Sequence, residues 1–284
     1  MDLPVGATVT VLGASGKTGR AVAAAARARG LTVRGTTRDP GRLLADGARA
    51  VEPVAVDLAT GEGLVEAFTG ADAAYLVVPN VHPDEVGIVR RALRAADEAG
   101  VARLVYHSVA DPDDRRMAHH LRKGEAEELL RAARPGTVVL RPAAYQQNLL
   151  PAVLAGRVEV PYRLDAPFSL VDLGDVAEVA ADALTGRLPD GSTHVLGGPE
   201  ELTILEVAET ASRVLERPVE AAATTAEAWR AGPGAALPPS ALSDLLAMFA
   251  AYDESGFTVD PAPLARLLGR PPTTWADLLT KETR

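Results

Sequence analysis

Between Thr8 and Leu140 short β-branched, apolar runs alternate six times with helix-forming stretches, and few folds accept that rhythm. The runs Thr8–Leu12, Leu31–Thr37, Val54–Val56, Ala73–Val78, Arg103–His107 and Thr137–Leu140 read as buried strands. The segments Gly19–Arg29, Leu43–Asp46, Gly63–Phe68, Pro83–Ala99 and Met117–Ala133 between them read as helices, with Gly30 and Gly100 as stops. Strand–helix alternation with short connections implies right-handed crossovers. The expectation is therefore an α/β chain with a doubly wound parallel sheet, covered by helices on both faces.

After Arg141-Pro142 the rhythm loosens, and Pro151, Pro161 and Pro167 interrupt the chain. Strands are expected at Phe168–Val171, His194–Leu196 and Val219–Ala223, and helices at Val176–Leu184 and Ile204–Leu215. The Pro- and Gly-rich stretch Ala231–Ser240 reads as a mobile loop or hinge, a candidate lid.

Composition narrows the function. The 284 residues carry a formal charge of −9, which disfavours nucleic acid as a partner. There is no cysteine, so thiolate chemistry, disulfides and cysteine metal sites are excluded. Met1-Asp2-Leu3-Pro4 shows no secretory pattern, and the longest apolar runs are far below a membrane span. A cytoplasmic protein, monomeric or homodimeric, without membrane partners is expected.

The first strand runs directly into Gly13-Ala14-Ser15-Gly16-Lys17-Thr18-Gly19 and then a helix. In that context Gly13 permits a sharp turn, Gly16 lets backbone amides approach a pyrophosphate, and Gly19 lets helix and strand pack closely. Ser15, Lys17 and Thr18 complete the cofactor-binding turn. A P-loop would need glycine at position 11, which is Val11. This places a Rossmann-type dinucleotide domain at residues 1–150. Residues 151–284 form a smaller α/β substrate lobe, partly interleaved with the core.

The second strand ends Thr36-Thr37-Arg38, beside the adenosine ribose in such folds. Arg38, helped by Arg42 or Lys17, suits the 2′-phosphate of NADP, whereas Asp39 one place further keeps NAD open. Asp57 and Leu58 are expected against the adenine, and Val78 and Pro79 along the adenosine and ribose.

The segments VTVLGASGKTGRAV, TTRDP, AVDL, YLVVP, LVYHS, HHLRKGEAEELL, VVLRPAAYQQNLL and LVDLGDVAEVAADAL together resemble the NmrA-like branch of atypical short-chain dehydrogenases/reductases. The resemblance implies NADP binding and reduction of quinones, enones or dyes. It also admits a redox-sensing regulator that binds NADP without turnover.

Typical short-chain dehydrogenases place Tyr four residues before Lys. None of Tyr75, Tyr106, Tyr145, Tyr162 or Tyr252 has that partner, so the usual phenol acid is absent and an epimerase is disfavoured. Lys123 matches the position where the branch carries Lys or His near the nicotinamide ribose. His119, one helical turn before it, is the candidate proton donor, with His120 second. Ser108, ending the fifth strand, is a candidate hydrogen-bond partner for a carbonyl, whereas His107 points to the other face and reads as structural. Tyr145 and Asn148 follow the sixth strand and are assigned to the nicotinamide or substrate, with Pro142 backing the ring. Phe168, Trp229, Met248, Phe249 and Tyr252 are candidates to roof a pocket for a flat, apolar small molecule. No metal site is expected.

Overall fold

The computed structural model describes residues 2–45 and 51–283, apart from the side chains of Arg42, Leu44 and Ala45. The first half alternates as follows: β1 (Thr8–Val11), α1 (Lys17–Ala28), β2 (Thr32–Thr37), α2 (Pro40–Ala45), β3 (Val51–Ala55), α3 (Leu64–Phe68), β4 (Ala73–Leu76), α4 (Glu85–Glu98), β5 (Arg103–His107), α5 (Ala118–Ala133) and β6 (Val138–Pro142). The second half holds α6 (Leu150–Leu154), β7 (Arg157–Val160), β8 (Phe168–Ser169), α7 (Leu173–Thr185), β9 (Thr193–Leu196), β10 (Glu201–Leu202), α8 (Ile204–Val214) and β11 (Glu220–Ala223). It ends with α9 (Ala226–Ala231), α10 (Pro239–Ser255), α11 (Ala262–Leu268) and α12 (Trp275–Glu282).

The central sheet has seven strands in the order β3-β2-β1-β4-β5-β6-β9. Every pairing in it is parallel. Consecutive strands run outward from β1 on one side and from β4 on the other, so the order reverses between β1 and β4. Ligands of doubly wound sheets bind at the carboxyl ends of the strands beside such a reversal. The expected six-strand sheet thus gains a seventh strand from the later chain. The two apolar clusters lie on opposite faces: Val9, Val11, Tyr75 and Val105 on the α1 face, Leu12, Leu76, Leu104 and Tyr106 on the α4–α5 face. Successive strand residues point to opposite faces, so one strand serves both cores.

The later chain returns to this framework through α7, which packs along α1. Its N-cap is Asp172, whose carboxylate accepts from the Asp175 N–H, and Arg29 of α1 is clamped on Asp182 at 2.8 Å. Two small sheets, β10–β8 and β11–β7, complete the outer part. The expected strand Phe168–Val171 is only two residues long, because Leu170 to Asp172 turn into α7; Val171 makes a lone bridge to Tyr145. The expected helix Leu43–Asp46 begins earlier, at Pro40, a favourable first helical residue, and Asp46 lies outside the described residues. Among the described residues no helix is long and apolar enough to cross a membrane.

The stretch 231–240 divides. Ala231 closes α9, Pro239 and Ser240 open α10, and Gly234 between them is buried, with the Trp229 ring 2.8 Å from where a Cβ would stand. Helix α10 is held against α5 by the Arg122–Asp244 ion pair.

Candidate active site

The turn between β1 and α1 has the stereochemistry its glycines suggest. Gly13 sits at φ +60, and a Cβ on Gly19 would stand 2.3 Å from the Gly13 carbonyl oxygen. Gly16 is the N-cap of α1, so no side chain caps that end, and no acidic residue stands in its first turn. An uncapped helix start with a bare cradle before it presents amide hydrogens and a positive dipole end to an anion. Thr36 anchors the turn by accepting from the Gly13 N–H at 3.1 Å, and the Thr37 hydroxyl lies 3.3 Å from the Ser15 oxygen. These residues fit a dinucleotide pyrophosphate.

At the end of β2, Arg38 is exposed. The Asp39 carboxylate accepts from the Gly41 N–H, in the first turn of α2, at 3.0 Å. The side chain of Arg42 lies outside the described residues. Asp57 accepts from the Ala59 N–H at 2.8 Å in a local turn after β3, and the Leu58 carbonyl is held by Arg91. Val78 is buried and Pro79 exposed just past β4.

Residues distant in sequence reach this corner. The Lys17 ammonium donates to Asn148 at 2.5 Å and stands 5.5 Å from the centre of the Tyr145 ring. The Thr18 hydroxyl lies against the Tyr145 oxygen. Lys17, Thr18, Tyr145 and Asn148 therefore form one group, joining the glycine turn to the segment after β6. Pro142 is buried at the end of that strand.

Lys123 is buried beside this group on the other face of the sheet. Its ammonium donates to Glu85 at 2.9 Å and to the His107 carbonyl at 3.2 Å, and the Tyr106 hydroxyl donates to the same Glu85 oxygen at 2.7 Å. Burial and then the Glu85 charge push the Tyr106 phenol well above its usual range.

Residues 6–267 match the family described as NmrA-like. The chain belongs to the NmrA-like family. It is 32% identical over 277 residues to a (4-alkanoyl-5-oxo-2,5-dihydrofuran-3-yl)methyl phosphate reductase of Streptomyces griseus, covering 95% of each chain. It is 28% identical to an NAD(P)H azoreductase of Xenophilus azovorans, covering 95% of this chain and 96% of that one. Among solved structures it superimposes on an NADPH-dependent quinone oxidoreductase of Escherichia coli in complex with NADPH. There the TM-score is 0.82 at 20% identity, over 97% of this chain and 100% of the other.

In this NmrA-like chain two expected site residues stand differently from their sequence reading. His119 and His120 are both buried, edge to face at 4.5 Å, and His120 packs on Phe257. Burial first, and then the charges of His120, Arg122 and Lys123, lower His119 to about 3. An imidazole neutral at physiological pH is a poor proton donor, which removes the rationale for His119 as the acid. Ser108 donates to Glu127 at 2.5 Å, and Glu127 is gripped by Arg141 at 2.9 and 2.5 Å. That commits its one proton to a buried carboxylate instead of a carbonyl.

The expected roof is an interlocked aromatic cluster. Phe168 meets Tyr252 edge to face at 5.1 Å, Tyr162 touches Phe168, Phe249 and Tyr252, and Trp229 packs on Phe249. An open hollow of about 430 Å³ lies beside it, lined by Tyr162, Phe249, Leu246 and Ala223. Among the described residues no three His, Asp or Glu side chains are grouped to hold a metal ion.

From the sequence His107 has a structural role only, and Tyr75 has none. The Tyr75 hydroxyl meets His107 Nδ1, and the Tyr145 hydroxyl meets His107 Nε2 at 2.7 Å. Strand register carries the signal that locates them: Tyr75 pairs with Val105, so His107 projects from the same face one pleat nearer the ligand edge.

Proposed function

We propose that this chain is a cytoplasmic NADPH-dependent oxidoreductase that reduces a small, flat, largely apolar acceptor: a quinone, an enone or another carbonyl compound. The observation that carries this reading is the meeting of the uncapped glycine turn with Tyr145 and Asn148, which joins a phosphate cradle to polar groups at the carboxyl edge of the sheet. The 32% identical relative, itself named a reductase, supports the reaction class.

In this reading Gly13, Ser15, Gly16, Lys17, Thr18 and Gly19 hold the pyrophosphate, with Asp57, Leu58, Val78 and Pro79 along the adenosine. Arg38 takes the 2′-phosphate, and the engagement of Asp39 by the Gly41 N–H supports NADP over NAD. When bound, the reduced nicotinamide supplies a hydride to the acceptor. Pro142 backs the nicotinamide ring. Of the three donors of the Lys123 ammonium, Glu85 and the His107 carbonyl take two, and the third serves a ribose hydroxyl. Tyr145 faces the acceptor, and residues 151–284 supply the wall that excludes water.

Thermal shift with NADPH and NADH in parallel tests the cofactor assignment. Ligand at about 100 times its dissociation constant adds about 2.7 kcal/mol of stability. NADPH is expected to stabilise more than NADH, and Arg38→Ala to abolish the difference. Equal shifts in the unaltered protein would refute it. Incubation with NADPH and a quinone panel separates an enzyme, which consumes the nicotinamide absorbance, from a regulator that binds without consuming it.

A further inference from the structure

Tyr75 of β4, His107 of β5 and Tyr145 beyond β6 form a continuous hydrogen-bonded chain that leads from the interior to the site. A neutral imidazole has one N–H donor and one bare nitrogen acceptor. Burial, with the Lys123 charge adding to it, lowers His107 to about 3, so the ring is neutral under ordinary conditions. One tyrosine must then donate to the ring and the other must accept from it.

The interior end decides which. Tyr75 is wholly buried, and among the described residues His107 Nδ1 is the partner its hydroxyl has. If Tyr75 accepted, its own proton would be left without a partner inside the protein, a costly arrangement. Tyr75 therefore donates to Nδ1, and the ring proton sits on Nε2. From there it is directed at the Tyr145 oxygen, 2.7 Å away. Tyr145 keeps its own O–H outside the chain. The same oxygen has the Thr18 hydroxyl against it, which opposes the upward push of burial on the phenol. Lys17 adds positive charge near the ring.

We propose that Tyr145 is the proton donor to the reduced substrate and that Tyr75 and His107 are positioning residues, which fix the Nε2–H tautomer and so present the Tyr145 proton to the site. The proposal rests on the reductase reading above. In the step, the Tyr145 O–H bond breaks and the proton bonds to the substrate atom left negative by two-electron reduction. The phenolate that remains accepts from His107 Nε2–H and the Thr18 hydroxyl, and solvent returns its proton. The phenol thus comes from the segment after the sixth strand, held by a histidine, with no lysine four residues on.

Two measurements test this. The first needs neither cofactor nor substrate: nitrogen-15 NMR of the histidine rings, with His107 assigned by loss of its signals in His107→Gln. The Nε2–H tautomer should persist unprotonated from about pH 8 to about pH 5, and Tyr75→Phe should convert it to a tautomer mixture. An Nδ1–H ring, or protonation within that range, would overturn the positioning role. The second compares Tyr145→Phe with the unaltered enzyme on methyl red and on 1,4-benzoquinone, with NADPH as reductant. The nitrogen anion left on an azo bond is a far stronger base than a hydroquinone anion and needs the acid more. Turnover of methyl red should fall by about a hundredfold or more, and that of benzoquinone by less than about tenfold. Equal losses on both would overturn the donor role. Turnover of neither by the unaltered protein would reject the reductase reading, while the tautomer would still decide the positioning role.

Discussion

Consecutive residues of β5 build two different sites on the two faces of the same sheet. Tyr106 turns toward α4 and α5, where Glu85 and Lys123 form a buried ion pair with the tyrosine bonded to the carboxylate. His107 turns toward α1, where two tyrosines hold a ring that stays neutral. Both lie near the carboxyl end of the strand and both are closed to water, but one is held by charge and the other by donor–acceptor matching. The Lys123 ammonium reaches across by donating to the His107 carbonyl at 3.2 Å, so the two share a backbone anchor. The contrast suggests a division of labour. A charged cluster resists rearrangement because any unpairing is expensive, whereas a neutral chain fixes donor and acceptor directions without holding a buried charge.

The largest effect should come from unpairing the charged face. Lys123→Met leaves Glu85, only 3% exposed, without its cation. A loss of about 3–5 kcal/mol is expected in chemical denaturation. Adding Glu85→Gln should recover a large part of that loss. If the double variant were no more stable than Lys123→Met alone, the pair would not be the source of the cost. Lys123→Ala opens the same buried charge, so its turnover reports the scaffold together with the chemistry.

Acid should act on the neutral residues. His107 and His119 are both lowered to about 3, whereas an unfolded histidine takes up its proton near 6.5. Between those values the unfolded chain binds more protons than the folded one, so stability is whole above about pH 6.5 and falls as pH drops. At about pH 5 the loss is about 2 kcal/mol for each histidine. A series of melts across this range should show it, and His119→Gln should remove about 2 kcal/mol of the loss at about pH 5. A flat profile in the unaltered protein would mean that these rings take up protons in place, contrary to the burial argument.

The alternation of strands and helices was legible because each unit carries its own signal: short β-branched apolar strands, Ala-rich helices and glycine stops. The stereochemistry of the turn after β1 was legible for the same reason, since Gly13 and Gly19 act locally, through backbone freedom and close packing. What escaped was set by contacts between distant segments. The pairing of His107 with Tyr75 and Tyr145 needs the order of β1, β4, β5 and β6, which no single segment states. His119 is buried against His120, on which Phe257 of the later chain packs, and α10 is held against α5 by Arg122 and Asp244. Helix α10 itself was hidden because its sequence, PSALSDLLAMFAAYDES, is apolar on most sides and opens on a proline with another as its N-cap. Proline suits a first helical turn as well as a loop, so composition there points both ways. The later part of the chain is thus the least legible, and it is where the proposed acceptor would be selected.

The smallest effects give the sharpest comparison of the two faces. Tyr106 and Tyr75 each lose one hydrogen bond when changed to Phe, and both are fully buried. The Tyr106 hydroxyl donates to a carboxylate, whereas that of Tyr75 donates to a neutral ring. Hydrogen bonds to charged groups are worth about 1.5–3 kcal/mol and neutral ones about 1. Tyr106→Phe should therefore cost about 2 kcal/mol, and Tyr75→Phe about 1, in urea denaturation with unchanged slope. Tyr75→Phe also frees the imidazole to choose its tautomer, which further limits its stability cost but removes the fixed direction of the Tyr145 proton. The two variants should thus rank oppositely by the two readouts, Tyr106→Phe more harmful to stability and Tyr75→Phe more harmful to methyl red turnover. If Tyr106→Phe proved worse by both, the distinction between a charged scaffold and a neutral positioning chain across β5 would be lost.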